Sequence, residues 1–236
     1  MPRRRTVAVI LLLAFLIALS LLQDRRQAAQ HDSPYYTPHD PTMDVGSGAK
    51  FHRPHVAGTP GGNAYIFAFG DSYTTYGFES EGDVPSQQNP LGNRASNQTH
   101  PDQPATYTPK WLDYVVDMSP SGTHAYNFAR GASTVDGDLV PPQFWGAKAF
   151  TAQGQEWVDT AANPKHKMHT SWTADNSAFI VWFGINDVSN TCDHFSEDEY
   201  KKLYEKIVQS YMKVLSLFYD NGGRKFIILG LPRKRG

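Results

Sequence analysis

The sequence has almost no cysteine. Cys192 is the single cysteine in 236 residues, which excludes an intrachain disulfide and a multi-cysteine zinc site. A lone thiol can act as a nucleophile, but no recognisable catalytic motif surrounds Cys192, and a packing or surface role is the simpler interpretation. Burial of apolar side chains must therefore supply the stability of the folded domain.

The sequence also lacks an excess of charge of either sign. Its 22 lysines and arginines nearly balance its 23 aspartates and glutamates. A protein that binds nucleic acid through phosphates needs a basic surface, and no basic excess follows the N-terminus. Hydrophobic residues make up 40% of the chain and aromatic residues 13%, which is typical of a globular domain. We therefore expect no nucleic-acid partner.

The N-terminus carries a membrane-targeting pattern. Arg3, Arg4 and Arg5 precede an uncharged, mostly apolar run over residues 6–22. A cleaved signal peptide has an apolar segment of about 7–15 residues and a small-residue cleavage site, whereas a spanning helix needs about 17 residues or more. Ala18 and Ser20 fit the first interpretation, and the length of the run favours an uncleaved anchor. Both predict that the remaining chain lies on the lumenal or external side.

Residues 23–63 form a predicted polar linker that is rich in proline, glycine and histidine and shows no secondary-structure period. Its histidines have no cysteine or carboxylate at metal-ligand spacing, so we expect no metal site. Asn97 begins an Asn-Gln-Thr glycosylation sequon, which agrees with a secretory route. The histidines of the predicted linker are His31, His39, His52 and His55.

The folded domain is predicted to span residues 64–236. Short apolar runs recur at residues 64–69, 124–129, 178–183 and 225–231, each about as long as a strand. Residues 196–219 have the apolar spacing of an amphipathic helix, and Ser196 and Glu199 have capping-box spacing at its start. Alternating strands and helices predict a three-layer α/β/α sandwich around a parallel sheet.

Polar motifs follow the first three runs. They are Gly-Asp-Ser at 70–72, Arg-Gly-Ala-Ser at 130–133 and Gly-Ile-Asn-Asp at 184–187. In parallel sheets the strands' carboxyl ends share one edge, where ligands bind. Ser72 can supply a nucleophilic hydroxyl, and N–H donors from Ser72, Gly131 and Asn186 can stabilise an oxyanion. The G-x-S-x-G elbow of the α/β-hydrolases is absent around Ser72.

The segments GDSY, NFARGAS and GIND resemble the blocks of the SGNH hydrolases, also called GDSL-type esterases. Longer stretches, including FGDSYTTYGFE, YNFARGASTVDGDLV and FGINDVSNT, resemble fungal acetylesterases of carbohydrate esterase family 16. The resemblance implies a flavodoxin-like fold and a cofactor-independent, monomeric enzyme that removes acetyl groups from cell-wall carbohydrates. It implies Ser72 as nucleophile, and the Gly131 N–H and the Asn186 amide as oxyanion donors.

The fourth block of that family, an Asp-x-x-His motif that supplies the catalytic base, has no counterpart here. The resemblance therefore implies a domain without its last strand and helix, inactive or nearly so on acetyl esters. Asp71 and Asp187 are expected to be structural, and no other histidine is expected to replace the base. Two alternatives stay open, a lipid or phospholipid esterase and a non-catalytic carbohydrate-binding protein. These other histidines are His124, His166, His169 and His194.

Residues 79–110 form a long segment without apolar periodicity, which is either a functional loop or an inert one. Asn89 and Asn93 are candidates for lining a sugar-binding cleft. For the tryptophans that could stack on a sugar, core packing is the better interpretation. A helix with a buried face is predicted directly after this loop. The aromatic candidates are Trp145, Trp157 and Trp172, and the helix face comprises Trp111, Leu112, Val115 and Val116.

Overall fold

The computed structural model describes residues 63–93, 109–144, 146–192 and 194–231. They all belong to the compact unit His55–Gly236, one of the two units into which the chain divides. The predicted targeting segment 1–22, the linker up to residue 62, and Asn97 lie outside the described residues. Within the described ranges, no helix is both long and apolar enough to cross a bilayer.

Four parallel strands form the central sheet of the described residues, in the order β2-β1-β3-β4. This arrangement confirms the predicted α/β fold with a central parallel sheet. The absence of a further strand and helix stays a prediction. The elements in chain order are β1 (Ala64–Gly70), α1 (Trp111–Met118), β2 (Thr123–Asn127), α2 (Phe150–Asp159), β3 (Ser177–Trp182), α3 (Ile185–Thr191), α4 (Glu197–Asp220) and β4 (Phe226–Ile228).

Strand β1 lies at the centre of the sheet, and both of its faces are buried. Phe67 and Phe69 point to one face, Ile66 and Ala68 to the other, and all four are at most 8% exposed. This explains why the strand reads as a continuous apolar run, since strands of a covered parallel sheet have no polar face.

A helical layer covers each face of the sheet. On one face, Leu112 and Val116 of α1 pack with Ile66 and Ala68 of β1. On the other face, the ring of Trp157 in α2 lies 5.1 Å from that of Phe218 in α4, and both rings contact Phe179 of β3. The three layers therefore correspond to the predicted sandwich, and α1 has the predicted buried face.

Helix α4 begins as its sequence predicts. The Ser196 N–H donates a hydrogen bond of 2.8 Å to the Glu199 carboxylate, which satisfies one of the donors at the helix start. Close packing of α4 on α2 requires Gly154, because a Cβ there would lie 2.6 Å from Val214 Cγ1. The helix starts and ends within one residue of the predicted range.

Candidate active site

The loops after β1, β2 and β3 open on the same edge of the sheet and form a cleft of about 440 Å³. Ser72, Gly131 and Asn186, the three residues predicted from the strand-end motifs, all line this cleft. They come from three separate segments, the turn after β1, the loop after β2 and the first turn of α3, and the parallel topology brings them together. The other lining residues are Arg130, Ala132, Gln143, Phe144, Gly146 and Ala147.

The turn that carries Ser72 follows β1 directly. The Asp71 carbonyl accepts hydrogen bonds from the N–H groups of Thr74 and Thr75, and its carboxylate accepts one from the Tyr73 N–H at 3.0 Å. Asp71 is 1% exposed, whereas Ser72 is exposed at the tip of the turn. Asp71 therefore builds the turn, as predicted, and burial raises the pKa of its carboxyl group.

Two side chains hold this turn from outside. The Lys110 amino group donates to the carbonyls of Ser72 and Thr75, at 2.8 and 2.7 Å. The Asn127 amide at the end of β2 donates to the Thr74 carbonyl at 2.6 Å. Burial lowers the pKa of Lys110, against the attraction of nearby carboxylates. The motif pattern does not predict the role of Lys110, because no local sequence signal links it to Ser72.

The loop after β2 lies beside the Ser72 turn. The Arg130 N–H donates to the Gly70 carbonyl at 3.1 Å, and the Ser133 hydroxyl donates to the Arg130 carbonyl at 2.8 Å. A Cβ added at Gly131 would meet no atom of the described residues within 4 Å. Internal packing therefore does not require glycine at this position, and the missing side chain leaves the space in front of the Gly131 backbone open.

The Arg130 side chain is only 9% exposed and packs beneath the cleft surface, where it holds the loop. Its guanidinium lies 3.4 Å from carboxylate oxygens of both Glu79 and Glu156, and Lys148 pairs with Glu156 at 2.9 Å. Two carboxylates thus balance its charge. The arginine is better placed to hold the loop than to attract an anionic substrate.

Asn186 lies in the first turn of α3, next to the second loop. Its Nδ2 donates to the Ser133 carbonyl at 2.9 Å and lies 3.4 Å from the Asp71 carboxylate. The neighbouring Asp187 carboxylate accepts the Val135 N–H at 3.0 Å, and burial raises the pKa of Asp187 to about 6. Asp187 therefore fixes α3 to the second loop, in agreement with its predicted structural role.

The histidines of the described residues do not line the cleft. His124 lies near the start of β2, at the opposite edge of the sheet. The His166 ring lies 3.2 Å from the Glu81 carboxylate, and the His169 ring lies 3.0 Å from the Ala161 carbonyl.

Asn89 and Asn93 stabilise their own loop. The Asn93 amide bonds the Glu79 N–H and carbonyl, both at 2.7 Å, and the Asn89 amide donates to the Gly92 carbonyl. Neither residue lines the cleft, so the described part of the loop gives no support to the predicted sugar contacts.

Two of the three tryptophan candidates lie in the described residues. Trp157 is fully buried, and the Trp172 ring packs against Phe67 and Phe179, so core packing was the correct interpretation for both. Trp145 lies outside the described residues. Sequence reasoning missed Phe144, whose ring is 70% exposed beside the cleft.

The sequence profile of the GDSL-like lipase/acylhydrolase family matches residues 66–234, which include the whole sheet from Ile66 onward and all three loops. The chain belongs to this family. The match confirms the resemblance drawn from the strand-end motifs. Among the described residues, this GDSL-family domain has no group of three histidine, cysteine, aspartate or glutamate side chains that could hold a metal ion.

Two curated relatives carry the name acetylesterase. The protein from Thermothelomyces thermophilus is 36% identical over 169 residues, which cover 71% of this chain and 53% of the relative. The protein from Hypocrea jecorina is 26% identical over 178 residues, or 70% of this chain and 47% of the relative. The chain thus spans about half the length of the curated relatives it matches.

Proposed function

We propose that this GDSL-family domain transfers acyl groups through Ser72, and that its substrates are acetyl esters of cell-wall carbohydrates. One observation carries the proposal. An exposed serine hydroxyl, an unobstructed glycine backbone and an asparagine amide line a single cleft at the carboxyl edge of a parallel sheet. These are the groups that acyl transfer requires, namely a nucleophile and hydrogen-bond donors for the oxyanion.

In the proposed reaction, the Ser72 Oγ attacks the acetyl carbonyl carbon and gives its proton to a base. The N–H groups of Ser72 and Gly131 and the Asn186 amide stabilise the negative oxygen of the tetrahedral intermediate. Collapse of the intermediate breaks the ester C–O bond, and the alcohol leaves with the proton. Water then attacks the acetyl-serine and releases acetate, which regenerates the Ser72 hydroxyl.

The lining of the cleft favours a short acyl group over a lipid chain. Among the described lining residues, Ser72, Arg130, Gln143 and Asn186 contribute polar groups. The apolar contributions from these residues come from two alanines and the exposed side chain of Phe144. A long acyl chain needs an extended apolar channel to remove its methylene groups from water. The exposed Phe144 ring offers a flat surface on which a sugar ring can stack. Faster hydrolysis of acetyl than of long-chain nitrophenyl esters is the expected result, and the opposite preference would favour a lipid esterase.

The proposed reaction also needs a base that takes the proton of the Ser72 hydroxyl. None of the histidines in the described ranges lines the cleft, and a serine hydroxyl without a base at hydrogen-bond distance is a weak nucleophile near neutral pH. We therefore expect the 236-residue chain to hydrolyse acetyl esters slowly, and added imidazole to accelerate the reaction. The same observation favours, as second candidate, a protein that binds acetylated sugar without turnover.

A comparison of the chain with its Ser72→Ala variant distinguishes these candidates. Acetate release from an acetylated xylo-oligosaccharide is measured with and without imidazole, and sugar binding is measured by calorimetry. The esterase proposal predicts release that imidazole accelerates and that the variant lacks. Binding of equal strength in both proteins, with no release that depends on Ser72, would support the binding-only candidate.

We also propose that the domain enters the secretory pathway. The support is the arginine cluster before the apolar run 6–22, together with the sequon at Asn97. Expression in a fungal host is expected to yield a product whose mass falls on glycosidase treatment. An Asn97→Gln variant should lose that mass change, and an unglycosylated wild-type product would contradict the assignment of Asn97.

A further inference from the structure

Gln153 of α2 is a fully buried polar residue. Its Oε1 accepts the Gly70 N–H at 3.1 Å, and its Nε2 donates to the Gly70 carbonyl at 2.9 Å. The same Nε2 lies 3.2 Å from the Ser133 hydroxyl oxygen and 2.8 Å from the Lys148 carbonyl. Both ends of the amide are therefore engaged, although the side chain has no access to water.

The position of Gln153 is unusual for a helix that faces the core. The neighbouring buried side chains of α2, Phe150 and Trp157, are aromatic and pack against the sheet. Burying an amide is unfavourable unless its hydrogen bonds are made. Gln153 makes them with the Gly70 backbone before the Ser72 turn, with the Ser133 hydroxyl in the loop after β2, and with the Lys148 carbonyl just before its own helix. It therefore connects segments that an apolar side chain would only contact.

The partners of Gln153 lead directly to the proposed catalytic groups. Gly70 lies two residues before Ser72, and Ser133 lies two residues after Gly131. The Ser133 carbonyl also accepts the Asn186 amide at 2.9 Å. One buried amide thus joins the segment that carries the nucleophile to the loop that carries one oxyanion donor and orients the other.

The backbone of the second loop indicates that it is held under constraint. Ala132, between Gly131 and Ser133, has a φ of 57°, a left-handed conformation that is unfavourable for L-residues with a side chain. Such a residue persists only where its surroundings fix it. The Gln153 contact with Ser133 and the Asn186 contact with the Ser133 carbonyl are both next to this strained residue.

We propose that Gln153 is a positioning residue for the acyl-transfer site. It sets the separation between the Ser72 hydroxyl and the oxyanion donors by fixing Gly70 and Ser133 to the same side chain. This inference rests on the proposed function, because the hydrogen bonds of Gln153 have a catalytic role only if the cleft transfers acyl groups. The alternative is that Gln153 contributes only to the stability of the core.

The test compares Gln153→Met with the wild-type chain. Methionine has a similar length but cannot make the amide's hydrogen bonds. Thr160→Val is a matched control, because Thr160 is also buried and donates to a carbonyl of α2, Glu156, but bonds neither loop. Each protein is assayed by the Ser72-dependent hydrolysis of p-nitrophenyl acetate in the presence of imidazole, and its melting temperature is measured. Ser72→Ala in the same buffer gives the background.

The positioning role predicts that Gln153→Met lowers kcat by about 10-fold or more, because small misplacements of reacting groups have large effects on rate. KM should stay within about twofold, since substrate binding does not depend on this alignment. A purely structural role predicts a lower melting temperature with unchanged kcat in the folded fraction, as expected for Thr160→Val. Unchanged kcat in folded Gln153→Met would overturn the proposal.

A second variant and a second measurement cover other outcomes. If Gln153→Met does not fold, Ser133→Ala is the second variant. It removes the Gln153 contact with the second loop together with the Ser133 hydrogen bond to the Arg130 carbonyl, and an unchanged kcat in that variant would overturn the proposal. If the wild-type chain shows no Ser72-dependent reaction, the proposed function fails, and amide hydrogen exchange then tests the connection itself. Faster exchange in both loops of Gln153→Met is expected, and unchanged exchange in either loop contradicts it.

Discussion

Replacing Asn186 with alanine should separate catalysis from stability. The variant loses the hydrogen bond from Nδ2 to the Ser133 carbonyl, at 2.9 Å, and the weaker contact with Asp71. A hydrogen bond of this kind contributes about 1 kcal/mol to the net stability, which corresponds to a decrease in melting temperature of about 2–4 °C for a domain of this size. The fold should therefore survive the substitution.

The expected effect on catalysis is much larger. Loss of one oxyanion donor typically lowers kcat by about 10²–10³-fold, equivalent to roughly 2.7–4 kcal/mol of transition-state stabilisation. The assay is hydrolysis of p-nitrophenyl acetate with imidazole present, corrected by the Ser72→Ala background. KM should change little, because the donor acts on the oxyanion more than on the bound ester.

Asn190 provides the matched control. It lies one helical turn further along α3, and its Nδ2 donates to the Pro141 carbonyl at 3.1 Å. Asn190→Ala should produce a similar small decrease in melting temperature without the loss of kcat. The reasoning would be refuted if Asn186→Ala kept the kcat of Asn190→Ala, or if both variants lost activity equally.

Three further predictions address the cleft and its support. Gly131→Ala should keep the wild-type melting temperature, because an added Cβ meets no atom of the described part of the chain within 4 Å, but it should lower kcat by crowding the oxyanion position; a large loss of stability would contradict the open geometry. Phe144→Ala should raise KM for an acetylated xylo-oligosaccharide and leave KM for p-nitrophenyl acetate nearly unchanged, and an equal change for both would exclude sugar stacking. The stability of the wild-type protein should fall as pH rises from about 4 to about 6, since burial raises the pKa of Asp187 to about 6 and the folded state then binds more protons than the unfolded one. Asp187→Asn should flatten this dependence in melting temperatures recorded across the range, and an unchanged slope would show that Asp187 is not its source.

The sequence predicts the central sheet because strands β1, β2 and β3 are largely buried on both faces. Apolar runs of strand length mark all four strands, and the polar motifs after three of them meet because parallel strands end at one edge. The strand ends are less predictable. Phe128 and Ala129 are fully buried but lie beyond the end of β2, and β4 covers only Phe226–Ile228 of a longer apolar run.

The groups that hold the site are not predictable in the same way. Lys110 lies 38 residues from Ser72 in sequence, and Gln153 lies 83 residues from Gly70. Neither contact leaves a local pattern, because each depends on how two layers of the fold pack. Phe144 is missed for a related reason, since an exposed aromatic side chain can be placed beside the cleft only when the loop structure is known.

Covalent reaction at Ser72 tests the central claim most directly. The 236-residue chain is incubated with an acetyl ester and imidazole, quenched with acid, and analysed by peptide mass spectrometry. We predict acetylation of the peptide that contains Ser72, absence of that adduct in Ser72→Ala, and slower formation in Asn186→Ala. An unmodified Ser72 in the wild-type chain would contradict the assignment of this cleft as an acyl-transfer site. Acetylation of another serine in Ser72→Ala, as fast as the acetylation of the wild-type chain, would contradict it as well.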